Sequence, residues 1–325
     1  MSRRFLNLVL AAPLLLVGAG DALAQQKLKF AHVYEISEPY HKWAVWAAQE
    51  LPKRTQNRYT MEVFPASTLG KETDINQGLT LGTVDIIDTG TAFAARSYAP
   101  VGIATAPYML RDYDHWQKYH QSDLFKELAE GYRKATQHKI VAALYYGQRH
   151  VTSNKPIHKP ADMVGLKIRV PDAPQYLMFP KSVGANATPI AFAEVYLALQ
   201  QGTVDAQENP LPTIYAKKFY EVQKYINLTG HITETIFTIV GGQLWKRLSD
   251  QDKKTFEQLF QEAASKCNQE IVAQEKSLVG EFEKLGNVVN RDVDRAAFRE
   301  AALKVHLSPE AKWSKEQYDR LQAIK

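Results

Sequence analysis

"SDQDKKTFEQLFQEAASKCNQEIVAQEKSLVGEFEKLG", residues 249–286, is the longest helical pattern in the chain and the stretch that decides its fold. Ser249 followed by Asp252 resembles an N-cap pair, and Gly286 supplies a C-terminal stop. Read as one helix, the segment reaches roughly 55 Å at 1.5 Å per residue. That is longer than one small domain is wide, so the pattern predicts a helix lying across two domains. The competing reading is two helices broken near Gly280.

The rest of the chain supplies a sheet for such a helix. "KLKFAHV" (27–33), "YTMEVFP" (59–65), "TVDIIDTG" (83–90) and "KIVAALYYGQR" (139–149) read as strands, with helical patterns between them at 41–55, 71–82 and 115–137. The second half repeats the style. Strand 165–170 leads to a helix near "PQYLMFPKSVG" that Pro180 bends or breaks. An amphipathic helix (192–202), a strand end in "VDAQENP" (204–210) and a strand in "ETIFTIVGG" (234–242) follow. Strands alternating with helices argue for parallel βαβ units and an α/β fold.

Composition narrows the function. The chain has 325 residues, 45% of them hydrophobic and 23% charged, which are globular values. Its formal charge of +5 is spread out, with no Lys/Arg tract, so nucleic acid is not the expected partner. A modest positive balance suits a small anion. "MSRRF", the broken apolar run "LNLVLAAPLLLVGAG" and "ALA" at 22–24 read as a cleavable signal peptide over 1–24. The mature protein is then expected in the periplasm from about Gln25, and nothing later in the sequence approaches a membrane span. The single cysteine, Cys267, leaves no internal disulfide and no cysteine-based metal site.

A reacting constellation is missing from the sequence. The nine histidines contain no HExxH, and His115 and His120 fall on different sides of a helix. No nucleophile elbow and no phosphate-cradling loop appear, so no enzyme, metal or cofactor is expected. A small organic anion asks for less: a guanidinium for its carboxylate, further donors, and walls that exclude water. Three predicted strand ends carry such groups, where α/β sheets leave a crevice. Arg149 closes "ALYYGQR", Arg169 nearly closes "GLKIRV" just before Pro171, and Asn209 follows "VDAQE". Taken singly, each is also an ordinary solvated side chain.

At these residues the chain resembles a known family. "GLKIRVPDAPQYLMFPKSVGANATPIAFAEVYLALQQGTVDAQENP" (165–210), with "YYGQRHVTSNKPIHKPADMVGLKIR" (145–169), "FYEVQKY" (219–225) and "FPASTLGKE" (64–72), is similar to the DctP-type solute-binding proteins of tripartite ATP-independent periplasmic (TRAP) transporters. The resemblance implies a two-domain periplasmic-binding-protein-like fold with crossing strands and a long helix spanning both domains. One domain is expected from 25–146 plus about 235–274, the other from 147–234 plus about 275–325. The domains are expected to close by hinge motion over a carboxylate, which is handed to membrane permease subunits. The resemblance makes Arg169 the main, two-pronged carboxylate anchor, Arg149 the second cleft arginine and Asn209 the completing amide.

In sialic-acid-binding members an asparagine follows the first strand and a glutamate stands near the place of Gly90. Here the first position is about Val33 and the second has no carboxylate. This chain offers His32, Glu72, Thr89 and Thr91 instead, of which Glu72 and the threonines have partners for hydroxyls. Each also has a plain explanation: a core histidine, a helix N-terminal charge, two strand-end threonines. Tyr34 and Tyr146 are candidate walls, and Phe192 is expected in the core. The favoured ligand is a sugar acid such as a uronate or aldonate, ahead of a C4-dicarboxylate and an aromatic or 2-oxo monocarboxylate. A periplasmic enzyme or a sensor module is the alternative of another class.

Overall fold

A computed structural model describes residues 25–308 and 311–325. The signal peptide expected at 1–24 lies outside the described residues. The first half alternates as its periodicity predicts: β1 (Gln26–Ala31), α1 (Pro39–Arg54), β2 (Tyr59–Phe64), α2 (Glu72–Leu81), β3 (Ile86–Gly90) and the short α3 (Thr91–Ala94). The segment 115–137, read as one helix, is two: α4 (Tyr113–Gln121) and α5 (Asp123–Thr136). Ser122 between them is extended, and its Oγ accepts the Phe125 N–H at 3.2 Å, which caps a new helix. Then comes β4 (Lys139–Ser153).

The second half holds β5 (Lys167–Val170), α6 (Met178–Ser182), β6 (Asn186–Pro189), α7 (Val195–Gln200), β7 (Ala206–Pro210), α8 (Leu211–Ala216) and β8 (Tyr225–Val240). It continues through α9 (Gly242–Arg247), α10 (Asp250–Lys284), β9 (Val288–Asn290), α11 (Arg295–His306) and α12 (Lys315–Gln322).

The strands form one mixed sheet in the order β2-β1-β3-β8-β4-β7-β5-β6, with β9 on β8. The expected parallel units exist on both flanks, β2-β1-β3 and β7-β5-β6. The middle departs from that expectation. There β3–β8, β8–β4 and β4–β7 all pair antiparallel. β4 and β8 are long enough to serve both flanks. β4 pairs with the end of β8 through Lys139–Tyr145 and with β7 through Arg149–Ser153. These are the crossing strands.

The register of β4 slips three times, between Ile140 and Ala142, Tyr145 and Gly147, and Arg149 and Val151. A bulge takes backbone groups out of the ladder, and buried ones need other partners. α10 supplies them. Asn268 Oδ1 accepts the Tyr145 N–H at 2.7 Å, and Glu275 Oε1 accepts the Gln148 N–H at 2.6 Å. The Tyr145 hydroxyl donates to Glu275 Oε2 at 3.0 Å. Gly147 sits between them with φ 110°, and a Cβ there would come within 2.9 Å of Glu275 Oε1 and Pro210 Cβ. Both backbone and space demand glycine.

α10 runs unbroken through Gly280 for 35 residues, about 52 Å at the helical rise. Ser249 caps it by accepting the Asp252 N–H at 3.1 Å. Phe256, Phe260, Cys267 and Ile271 join a core built on β1, β3 and the end of β8. Leu278 and Phe282 join a second core with Val195, Leu199 and Phe219. One helix therefore serves two cores, which is why it is so long. A third cluster, with Phe179, Val183 and Phe298, lies beside β5. The assignment of 275–325 to the second domain is corrected at its end. Trp313 and Leu321 pack into the first core, and Arg320 pairs with Glu127 of α5 at 2.8 Å. So short a helix is stable only where its apolar side is covered, and its cover is there.

Candidate functional site

The strand ends of both flanks meet around a cavity of about 250 Å³. Val33 and Tyr34 reach it just after β1, Glu72 at the start of α2, Gly90 at the end of β3, and Arg149, Arg169 and Asn209 from β4, β5 and β7. The structure thus gathers Arg169, Arg149, Asn209 and Glu72 at one place, with Tyr34 and Tyr146 as walls. Phe192 borders the cavity as well as packing on both cores. Polar contacts also join the two flanks: Arg96 to Asp172 at 3.2 Å, Lys217 to Glu35 at 2.7 Å, and the buried Thr213 hydroxyl to Glu38 Oε1 at 2.6 Å.

Arg169 is 1% exposed. Its Nε and Nη2 donate to the Ile190 carbonyl at 2.9 and 2.6 Å, which fixes the plane of the guanidinium. Nη1 is buried without a hydrogen-bond partner, and among the described residues no carboxylate forms an ion pair with Arg169. Burial pushes its pKa down to about 10, and the neighbouring Arg149 adds to that, against an opposing pull from Glu208. A guanidinium has five N–H donors. With the Nε edge held, the Nη1–Nη2 edge remains to meet a carboxylate in two-pronged fashion.

Arg149 is equally buried but already neutralised. Its Nε and Nη2 pair with both carboxylate oxygens of Glu208, and Nη2 also donates to the Glu208 carbonyl at 2.7 Å. Its guanidinium lies against the rings of Tyr146 (5.6 Å) and Tyr176 (5.0 Å). Burial alone would raise the Glu208 pKa, but Arg149 and His231 together outweigh it and hold it at about 2. His231 Nε2 lies 3.1 Å from Glu208 Oε2. Glu208 and Tyr176 were not foreseen. The signal for Glu208 is an acid directly before Asn209 inside "VDAQENP", at a strand end expected to share a crevice with two arginines, where a buried charge needs a counter-charge.

Asn209 borders the cavity with its Oδ1 3.3 Å from the Tyr146 hydroxyl and its Nδ2 bonded to Gln207 Oε1 at 2.6 Å. Glu72 Oε1 accepts from the Thr89 hydroxyl at 2.8 Å and the Gly90 N–H at 2.7 Å. Burial raises the Glu72 pKa to about 7, although these bonds and Arg169 pull the other way.

Three expected contacts do not reach the cavity. His32 lies behind Tyr34, stacked on its ring at 5.9 Å and bonded to His41 at 3.2 Å. Burial, then His41, lowers its pKa to about 3, so it is a neutral core residue. Thr89 is fully buried and holds Glu72. Thr91 is bonded to Thr105 and to Glu234 Oε1, at 2.5 and 3.1 Å. The alternation that puts Gly90 at the cavity turns Thr89 away from it, and Thr91 begins α3, where Glu234 and Thr105 hold its hydroxyl.

Two cores, joined by long strands and one shared helix around a polar cavity, make a two-lobed solute-binding protein. The family model described as DctP, bacterial extracellular solute-binding protein, family 7, matches residues 30–312, and the chain belongs to that family. It is 34% identical to the sialic acid-binding periplasmic protein SiaP of Vibrio cholerae over 91% of this chain and 92% of that one. A TRAP periplasmic solute-binding protein of Polaromonas, solved with D-erythronate, superposes with a TM-score of 0.88 at 32% identity, over 93% and 99% of the two chains. One from Roseobacter denitrificans, solved with L-galactonate, superposes at 0.85 and 32%, over 92% and 98%.

Proposed function

We propose that the protein is a periplasmic receptor that binds a sugar acid, a uronate or aldonate, in this cavity and passes it to a TRAP permease without turning it over. The observation that carries this is Arg169: a buried guanidinium beside a cavity, with no ion-paired carboxylate among the described residues and one unpartnered nitrogen. Asn209 and the remaining nitrogen of Arg149 assist at the carboxylate. Glu72 Oε2, protonated when the ligand is bound, donates to a ligand hydroxyl oxygen. Glu208 weighs against a C4-dicarboxylate, since it has neutralised the second cation such a ligand needs. Val33 and Gly90 offer no polar side chain for sialic acid. The D-erythronate and L-galactonate complexes of similar proteins support the ligand class. The lobes are 25–146 plus about 235–274 and 147–234 plus the chain from about 275 through α11, with α12 returned to the first. β4, β8 and α10 are the crossings about which they close.

The test is a thermal-shift screen of the exported chain, refolded to strip carried-over ligand, against carboxylic acids. A ligand at a hundred times its Kd adds about 2.7 kcal/mol. Uronates or aldonates are expected to raise the Tm. A shift with dicarboxylates alone overturns the ligand class, and turnover of any bound acid overturns the receptor. Loss of uptake in a strain without the permease separates a transport receptor from a sensor.

Glu72 gives a second expectation. The positive Arg169 holds its pKa down, and a bound carboxylate cancels that charge. Its pKa then rises above about 7, so binding takes up a proton near neutral pH and affinity increases as pH falls through 7. Calorimetry in buffers of different ionisation enthalpy is expected to show proton uptake in the wild type. Glu72→Gln should abolish it, and uptake that persists in that variant assigns the proton elsewhere.

A further inference from the structure

The turn between β1 and α1 carries two acids, Glu35 and Glu38, and is folded on itself. Glu38 Oε2 accepts the Glu35 N–H at 2.7 Å, and the Glu35 carbonyl accepts the Glu38 N–H at 3.0 Å. Both side chains then reach α8. Glu38 Oε1 accepts from the Thr213 hydroxyl at 2.6 Å, and Glu35 pairs with Lys217 at 2.7 Å. Thr213 and Lys217 are four residues apart, and the Lys217 N–H donates to the Thr213 carbonyl at 2.9 Å, so one face of the helix meets both acids. The turn is flanked by Val33, Tyr34 and Tyr40 of the first core, whereas Leu211 and Ile214 seat α8 in the second. The two contacts therefore cross from lobe to lobe.

Neither is a loose surface contact. Glu38 and Thr213 are buried, and the Lys217 side chain is 13% exposed. None of the four residues borders the cavity, but each lies next to something that does. Tyr34 directly precedes Glu35, and Lys217 Nζ lies 5.1 Å from the Phe192 ring. Thr213 Oγ1 lies 3.1 Å from the Tyr146 hydroxyl, which donates to Asn209 Oδ1 at 3.3 Å. We propose that Glu35 and Glu38 form a clasp that grips α8 when the lobes close, so that these positioning residues set how long the ligand stays without touching it. The proposal rests on the receptor reading above. Closure shuts Glu38 away from water, where an unmet carboxylate oxygen is costly, and Thr213 meets it there. The ligand leaves by opening, so a weakened clasp speeds release and leaves association alone.

The experiment measures association and release rates of L-galactonate by stopped-flow fluorescence. It uses the refolded exported chain as wild type, Lys217→Met, Lys217→Glu, Glu35→Lys/Lys217→Glu and Thr213→Val. Lys217→Met is expected to speed release about fivefold, the upper range for a partly exposed ion pair. Lys217→Glu faces two acids and should exceed that, and the charge swap should recover much of the loss. Added salt should speed wild-type release but not that of Lys217→Met. The ligand-free Tm should hardly move, since the open form does not use these contacts. If Thr213→Val does not fold, the Lys217 variants decide alone. Wild-type release rates in the folded variants overturn the clasp, as does a lowered ligand-free Tm with release unchanged. A wild type that binds no L-galactonate overturns the sugar-acid reading, and the clasp built on it.

Discussion

Arg169→Ala weakens carboxylate binding by about 2–5 kcal/mol, the cost of removing one member of a desolvated charge pair. That corresponds to about thirtyfold to several thousandfold in Kd. The ligand-free fold is expected to survive. Alanine leaves the Ile190 carbonyl without two donors, but it also removes a buried charge that no carboxylate of the described residues pairs. The losses and the gain oppose each other, so the ligand-free Tm should move by only a few degrees. Arg169→Lys is also expected to bind poorly. An ammonium is a point donor on a flexible stem and cannot both hold the Ile190 carbonyl and present a planar edge. Calorimetry on the two variants decides the matter. Wild-type affinity in Arg169→Ala would sink the anchor assignment.

Glu208→Ala is expected to act on the fold as much as on the ligand. It strips the counter-ion from Arg149, which is 1% exposed and has no other carboxylate in ion-pair range among the described residues. Breaking a buried pair in this way costs about 3–5 kcal/mol. Replacing both partners, as in Arg149→Leu with Glu208→Leu, should recover much of that stability, because apolar substitutes for a buried pair are often neutral. Urea unfolding of the two single variants and the double variant measures the coupling. If the double variant is as unstable as the sum of the single ones, Glu208 is not the counter-charge that matters. The pair also bears on pH. Glu208 is held near pKa 2, below the ordinary glutamate value of 4.5. Its contribution is therefore present above about 4.5 and is lost as pH falls toward 2.

Several elements were legible from local pattern. The strands at 27–33 and 59–65 and the helix at 249–286 follow from side-chain periodicity, and Ser249 marked the helix start. The sequence pattern marks β8 only from 234 onward, because "YINLTGHIT" mixes Gly, Asn and His with its apolar residues. Half of that strand is held by neighbours on the second flank and not by its own pattern. The helix at 115–137 was split by a cap whose serine looked like one polar residue among many.

The site divides in the same way. Arg169, Arg149, Asn209 and Glu72 were readable because each stands at the end or start of a recognisable element, and α/β sheets gather such ends into one crevice. His32, Thr89 and Thr91 lie as near to those ends along the chain, but a one-residue step along a strand reverses the face for Thr89, and His32 and Thr91, just past their strands, pack against His41 and Glu234. Sequence alone determined the α/β class, the helix shared by two lobes, and the placing of two arginines near strand ends. These depend on periodicity and on charge close along the chain. Only the tertiary structure decided that Arg149 is already neutralised by Glu208, 59 residues away, that Arg169 is not, and that Tyr176 faces Gly90 across the cleft. The physical reason is that these are choices among long-range partners. They are set by strand register and by how two lobes close, which no local pattern encodes.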